Sequence, residues 1–84
     1  MMDVTIYTTR FCPYCVRAKA LLDSKNVSYA EIDVDNDSKQ RTIMEQRSGQ
    51  TSVPQIFIGE QHIGGCDDLH ALEASGELDT RLAG

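Results

Sequence analysis

The chain has 84 residues, of which 40% are hydrophobic and 25% charged, and it carries a formal net charge of −5 at pH 7. This length and composition predict one globular domain over residues 1–84 and exclude a disordered chain. The acidic balance excludes nucleic acid as a partner, and with no signal peptide or membrane-spanning run we expect a cytoplasmic monomer that binds no membrane.

The first part of the chain predicts a β-α-β unit. Val4, Ile6 and Thr8 alternate with Thr5 and Tyr7 in a run of β-branched and aromatic side chains, as in strands. A helix begins at Cys12-Pro13, where the missing N–H of proline costs nothing, and fades near Asn26. Val27–Val34 is the second predicted strand. Three apolar residues are expected on one of its faces: Ala30, Ile32 and Val34.

The second part predicts a helix, a β-hairpin and a last helix. Asn36-Asp37-Ser38 supplies N-cap groups for a helix over Ser38–Arg47, and Gly49 ends it. Strands at Gln55–Ile58 and Gln61–Ile63 flank a two-residue Gly59-Glu60 turn. Cys66 or Asp67 caps the last helix, which ends at Gly76, and residues 77–84 have room for one further helical turn.

The predicted fold class is therefore α/β. The order β-α-β-α-β-β-α gives a parallel pair followed by an antiparallel hairpin, hence a four-stranded mixed sheet flanked by three helices. A C-x-x-C sequence at the first strand–helix junction of a β-α-β unit is typical of a thioredoxin-like redox motif.

The candidate catalytic residues are Cys12 and Cys15. Cys12 lies at the start of a helix, where unpaired N–H groups and the helix dipole stabilise a negatively charged thiolate. Residues 1–25 hold a local net charge of +2, with Arg10 and Arg17 near this sulfur. Cys12 is therefore the expected nucleophile. Cys15, one turn further on, is the expected resolving thiol.

Two other interpretations of the cysteines fit the sequence less well. An inert structural pair does not explain the position at a strand–helix junction. An intrachain metal site completed by Cys66 and a histidine does not match common zinc-ligand spacing, so no metal site is predicted. The two histidines, His62 and His70, are expected to be solvent-exposed.

Two further segments carry candidate binding residues. Pro54 precedes an apolar strand, and a cis bond there would aim the Val53 backbone at the redox loop. The residues alone favour the alternative, a trans proline that starts an edge strand. Gly65, Cys66 and Asp67 open a helix whose N–H groups can hold a carboxylate while Asp67 meets an ammonium group. A plain strand-to-helix turn is the alternative for that segment. Arg47 is a candidate for a ligand's terminal carboxylate.

Three separated motifs together resemble the dithiol glutaredoxins, most of all bacterial members. They are Cys12-Pro13-Tyr14-Cys15, Ser52-Val53-Pro54 and Gly64-Gly65-Cys66-Asp67-Asp68-Leu69, and the resemblance covers nearly the whole chain. It implies a thioredoxin-like fold, a cis bond at Pro54, and reduction of protein–glutathione mixed disulfides and protein disulfides. Glutathione is then the reducing co-substrate, glutathione reductase acts indirectly through the glutathione pool, and no cofactor is permanently bound.

The same resemblance implies a glutathione groove. Tyr14 flanks it, the Val53 backbone pairs with the cysteinyl part, and Cys66 N–H and Asp67 hold the γ-glutamyl end. The family usually has a lysine where Thr9 stands here, so Arg10 or Arg47 is expected to meet the glycine carboxylate. The full set of expected glutathione contacts is Arg10, Tyr14, Arg47, Ser52, Val53, Pro54, Gly65, Cys66 and Asp67.

Two alternative functions stay open at this point. One is a thioredoxin-type reductant served by a flavoprotein reductase, which Tyr14 and the Gly-Gly-Cys-Asp segment disfavour. The other is an iron–sulfur carrier in which two chains share a cluster, which Pro13 and the second thiol of Cys15 disfavour.

Overall fold

The computed structural model describes residues 2–84, which form four strands and four helices in the order β-α-β-α-β-β-α-α. This confirms the predicted α/β fold class and adds one helix to the three expected. The strands are β1 (Val4–Thr8), β2 (Tyr29–Asp33), β3 (Gln55–Ile58) and β4 (Gln61–Gly64). The helices are α1 (Pro13–Ser24), α2 (Ser38–Ser48), α3 (Cys66–Ser75) and α4 (Glu77–Ala83).

The four strands form one mixed sheet in the order β2-β1-β3-β4. β1 runs parallel to β2 and antiparallel to β3, with Tyr7 opposite Gln55. β3 and β4 form the predicted hairpin about Gly59 and Glu60. Because β1 and β3 are antiparallel neighbours, the C-terminal end of β1 lies beside the N-terminal end of β3. The segments holding Cys12 and Pro54 are thereby neighbours.

Alternation along β1 and β3 buries both faces of the sheet. Ile6 pairs with Ile56 on the face covered by α1, α3 and α4, whose buried residues include Leu22, Leu69 and Leu78. On the other face Tyr7 and Phe57 pack with Val34 and with Met44 of α2. Both central strands are therefore apolar on both sides, and burial of such side chains is worth about 1.5–3 kcal/mol each.

The fourth helix follows from two leucines. Leu78 and Leu82 are four residues apart, so both lie on one face of α4, and both are buried in the core. The carbonyl of Leu82 also accepts a hydrogen bond of 2.9 Å from the backbone N–H of Met2. The tail thus forms a packed helix where only one further helical turn was expected.

Two details of the strands and caps differ from expectation. β2 is shorter than the predicted Val27–Val34, and Ala30 is exposed because β2 is an edge strand. Asp37 caps α2 and Gly49, with φ +69°, ends it, as predicted. For α3 the expected cap at Cys66 or Asp67 is wrong: the N-cap is Gly65. Within residues 2–84, no helix combines the length and the apolar character needed to cross a membrane.

Candidate active site

The sulfur of Cys12 lies at the N-terminus of α1. Cys12 is the N-cap residue, and its Sγ accepts a hydrogen bond of 3.1 Å from the backbone N–H of Cys15. Pro13 occupies the first turn, where its lack of an N–H leaves no bond unmade. All three cysteines are free thiols, and Cys12 is partly exposed. A helix N-terminus of this kind stabilises a thiolate that solvent can reach.

The second thiol of the motif has a different environment. Cys15 is only 2% exposed. Burial, reinforced by the hydrogen bond with Cys12, raises the pKa of the Cys15 thiol from 9.0 to about 12. At neutral pH this sulfur is therefore protonated. Cys12 thus has an accessible sulfur with a stabilising N–H donor, whereas the thiol of Cys15 is buried.

The segment before β3 closes over the reactive sulfur. The Val53–Pro54 peptide bond is cis, as the resemblance implies. The carbonyl oxygen of Val53 lies 3.9 Å from the Sγ of Cys12 and accepts a weak hydrogen bond from the thiol. Pro54 is buried, whereas Ser52 is exposed. The backbone of Val53 thus stands beside Cys12 as one wall of the site.

A groove with a volume of about 360 Å³ runs from this wall to the start of α3. It brings together most of the residues expected to contact glutathione: Tyr14, Ser52, Val53, Pro54, Gly65, Cys66 and Asp67. Cys66 is buried, which raises the pKa of its thiol, while the Arg17 guanidinium acts in the opposite sense. Gly65, the N-cap of α3, donates its N–H to the Asp68 carboxylate over 3.0 Å.

The two expected arginines lie outside the lining of the groove. The guanidinium carbon of Arg47 lies 4.0 Å above the ring centre of Phe57, and its Nη1 donates a hydrogen bond of 2.7 Å to the Tyr7 hydroxyl. Arg10 is exposed, and its backbone N–H donates to Asp35 over 2.6 Å. Arg47 is thus engaged with aromatic side chains, while Arg10 is exposed to solvent.

Sequence reasoning missed several residues of the groove, among them Gln55 and His62. Gln55 is 2% exposed despite its polar side chain, and its Oε1 lies 2.7 Å from His62 Nε2. The expectation that both histidines are solvent-exposed is wrong, since His62 and His70 are each half-buried. The one available signal was a glutamine inside a strand that is otherwise apolar. The other lining residues not expected are Gln50, Ile63, Gly64 and Asp68.

The parallel pair, the hairpin and the C-x-x-C helix define a thioredoxin-like protein, and comparison with known proteins narrows this class. Residues 4–63 match the family model "Glutaredoxin". The chain is 60% identical over 82 residues to glutaredoxin 3 of Escherichia coli strain K12, covering 98% of this chain and 99% of that protein. The chain therefore belongs to the glutaredoxin family.

Solved structures agree with this assignment. The solution structure of glutaredoxin from Brucella melitensis superposes with a TM-score of 0.86 at 55% identity, covering 98% of this chain and 89% of the other. A buckwheat glutaredoxin in complex with glutathione gives a TM-score of 0.87 at 34% identity, covering 95% of this chain and 76% of the other. Family membership implies a glutathione-dependent thiol oxidoreductase, and it decides against the thioredoxin-type alternative.

Among residues 2–84, no three His, Cys, Asp or Glu side chains come close enough together to act as a ligand set. A tetrahedral zinc site takes four such ligands.

Proposed function

We propose that the chain reduces protein–glutathione mixed disulfides and protein disulfides through the Cys12/Cys15 dithiol, and that glutathione reduces it in turn. One observation carries the proposal: the partly exposed sulfur of Cys12 accepts the Cys15 N–H at a helix N-terminus, 3.9 Å from the carbonyl oxygen of Val53, a residue that lines the groove. The thiolate is the nucleophile in disulfide exchange, so this is the sulfur that attacks.

For a mixed disulfide one thiol suffices. The Cys12 thiolate attacks the glutathionyl sulfur, the bond to the protein sulfur breaks, and the protein leaves as a thiolate that takes up a proton. A second glutathione, as its thiolate, then attacks the Cys12–glutathione disulfide. Oxidised glutathione leaves and the Cys12 thiolate is restored. The mixed disulfide and one glutathione thiol thus become the protein thiol and oxidised glutathione.

For a protein disulfide both thiols take part. Cys12 attacks one sulfur of the substrate and forms a mixed disulfide, releasing the other sulfur as a thiol. Cys15 then loses its proton and attacks the sulfur of Cys12, which frees the substrate and leaves a Cys12–Cys15 disulfide. Two glutathiones reduce this disulfide and leave as oxidised glutathione. The high pKa of Cys15 keeps it from competing for substrate in the first step.

The groove is proposed to hold glutathione with its sulfur at Cys12. The Val53 backbone pairs with the cysteinyl part, between Tyr14 and Pro54. The N–H of Cys66 and the carboxylate of Asp67 hold the γ-glutamyl end, with Ser52 and Gly65 completing the lining. Arg10 or Arg47 meets the glycine carboxylate. The buckwheat relative solved with glutathione supports a tripeptide as the ligand.

The proposal extends to the cellular role. The chain acts as one domain over residues 1–84, as a cytoplasmic monomer, carrying electrons from glutathione to disulfide-containing or glutathionylated proteins. Glutathione reductase serves it indirectly by regenerating the glutathione pool. This places the chain in cell redox homeostasis, with no permanently bound cofactor and no nucleic-acid or membrane partner.

The deciding experiment measures glutathione consumption on a small glutathione mixed disulfide, coupled to glutathione reductase. Wild type and Cys12→Ser are compared side by side, with Cys66→Ser as a control that keeps the nucleophile. Turnover in wild type and Cys66→Ser that vanishes in Cys12→Ser is the expected result. No turnover in wild type would overturn the proposal.

A further inference from the structure

A polar pair in the lining of the groove joins a buried side chain to a half-buried one. Gln55, the first residue of β3, and His62, on β4, are joined at 2.7 Å between Oε1 and Nε2. The Gln55 Nε2 donates a hydrogen bond of 2.9 Å to the backbone carbonyl of Ser52. Gln55 is almost fully buried, and a buried amide costs free energy unless its hydrogen bonds are made. The pair therefore links the sheet to the segment that ends at Pro54.

The direction of both bonds is fixed by their chemistry. A backbone carbonyl can only accept, so the amide NH₂ of Gln55 must face Ser52. Its Oε1 then faces His62, and an oxygen can only accept from the ring. His62 must carry its hydrogen on Nε2, which holds for the protonated ring as well as for one neutral tautomer. The pair persists whether or not His62 is charged.

The far end of the pair is anchored in the core. The His62 ring lies 5.0 Å from the Phe57 ring, centre to centre, and Phe57 contacts Tyr7 edge-on at 5.8 Å. The rings of Phe57 and Tyr7 are buried, so the His62 ring packs against core side chains. Contacts thus connect Phe57 with His62, His62 with Gln55, and Gln55 with the backbone of Ser52. The carbonyl oxygen of the next residue, Val53, lies 3.9 Å from the sulfur of Cys12.

We propose that Gln55 and His62 are positioning residues that hold the Ser52–Val53 backbone at its distance from Cys12 and so set the affinity of the groove for the glutathionyl group. This rests on the proposed function, because it assigns the backbone of Val53 to glutathione. Neither residue takes part in the exchange of sulfurs. Their loss should weaken binding while leaving the chemical reactivity of Cys12 intact.

Two variants remove the pair without creating a cavity. Gln55→Met keeps the length of the side chain and removes both hydrogen bonds; His62→Phe keeps the ring on Phe57 and removes the donor to Gln55. Each should raise the KM for a glutathionylated peptide about tenfold, as expected for a broken buried hydrogen bond. The kcat, and the rate at which iodoacetamide alkylates Cys12, should change less than twofold. The matched control is His70→Phe, a half-buried histidine outside the groove, whose KM should equal that of wild type.

A readout independent of activity separates this inference from the proposed function. In a hydrogen-exchange or NMR comparison, Gln55→Met and His62→Phe should both alter the backbone amides of Ser52 and Val53, and His70→Phe should not. Turnover absent in wild type, with these shifts present, would overturn the proposed function and keep the positioning role. An unchanged KM and unchanged amides in His62→Phe would overturn the positioning role, even if Gln55→Met fails to fold.

Discussion

Cys12 and Cys15 share one hydrogen bond and have opposite exposures. The N–H of Cys15 points to the Cys12 sulfur at 3.1 Å, while the Cys15 thiol itself is buried behind it. One residue therefore contributes twice: its backbone stabilises the attacking thiolate, and its side chain is the second thiol. Replacing the Cys15 side chain leaves the backbone donor in place.

The first prediction separates these two contributions. Cys15→Ser should keep most of the turnover on glutathione mixed disulfides, because the N–H donor to Cys12 remains, and should lose at least about nine-tenths of the reduction of protein disulfides, because no resolving thiol remains. The measurement is kcat/KM on each substrate, with Cys66→Ser as the control thiol deletion. Equal losses on both substrates would contradict this division.

The second prediction concerns stability at high pH. The folded-state pKa of Cys15, about 12, exceeds its ordinary value of 9.0, so the folded protein holds this proton longer than the unfolded chain. The resulting stability is fully present below pH 9.0 and is lost as the pH rises from 9.0 toward about 12. The free energy of unfolding should therefore fall by about 1 kcal/mol between pH 8 and pH 10 because of this thiol.

Urea unfolding at pH 8 and pH 10 tests this pH dependence. Cys15→Ala is the control, since it lacks the titrating thiol while keeping the lysines and tyrosines that also titrate in this range. Its stability should fall less between the two pH values than that of wild type. An identical fall would show that Cys15 does not carry the effect.

The third prediction compares two glycines with positive φ. At Gly64, with φ +119°, an added Cβ would lie 2.8 Å from the Cγ of Asp68, whereas at Gly49, with φ +69°, it meets nothing within 4 Å. Gly49→Ala should therefore cost only the backbone strain, about 1–2 kcal/mol. Gly64→Ala should cost more and should also weaken glutathione binding, because Asp68 must release the Gly65 N–H at the groove. Equal costs in urea unfolding, with unchanged binding, would contradict this.

The fourth prediction ranks the two arginines. Arg10→Gln should raise the KM for glutathione about two- to fivefold, and the difference should shrink at high salt, as for an exposed ion pair. Arg47→Gln should act mainly on stability, since Arg47 lies on Phe57 and donates to Tyr7. Kinetics at low and high salt, together with unfolding of both variants, check the ranking. A larger KM effect from Arg47→Gln would assign the glycine carboxylate to that residue.

The features predicted well from the sequence are those that depend on neighbours along the chain. Period-2 alternation located Val4–Thr8, the Asp37 cap located α2, and the spacing of Cys12 and Cys15 placed both at the start of α1. Each of these signals operates within a few residues, so the pattern alone is informative.

The features that were missed depend on which elements meet in space. Exposure of Ala30 follows from the edge position of β2, which alternation cannot reveal. The Gln55–His62 pair lies across the hairpin: His62 is opposite Phe57, and the register shifts between Phe57 and Ile56, on the side where Gln55 lies. A single glutamine in an apolar strand does not indicate which residue it contacts, so the Gln55–His62 pair could be found only in the structure.

The site forms during folding only when β1 pairs with β3. Cys12 and Val53 are 41 residues apart in the chain, and they become neighbours only when Tyr7 lies opposite Gln55. Helix α1 can form locally, but the wall beside its sulfur requires this distant contact, whose loop must be closed first. A nascent chain that ends before β3 thus holds a thiol without a groove to select its substrate.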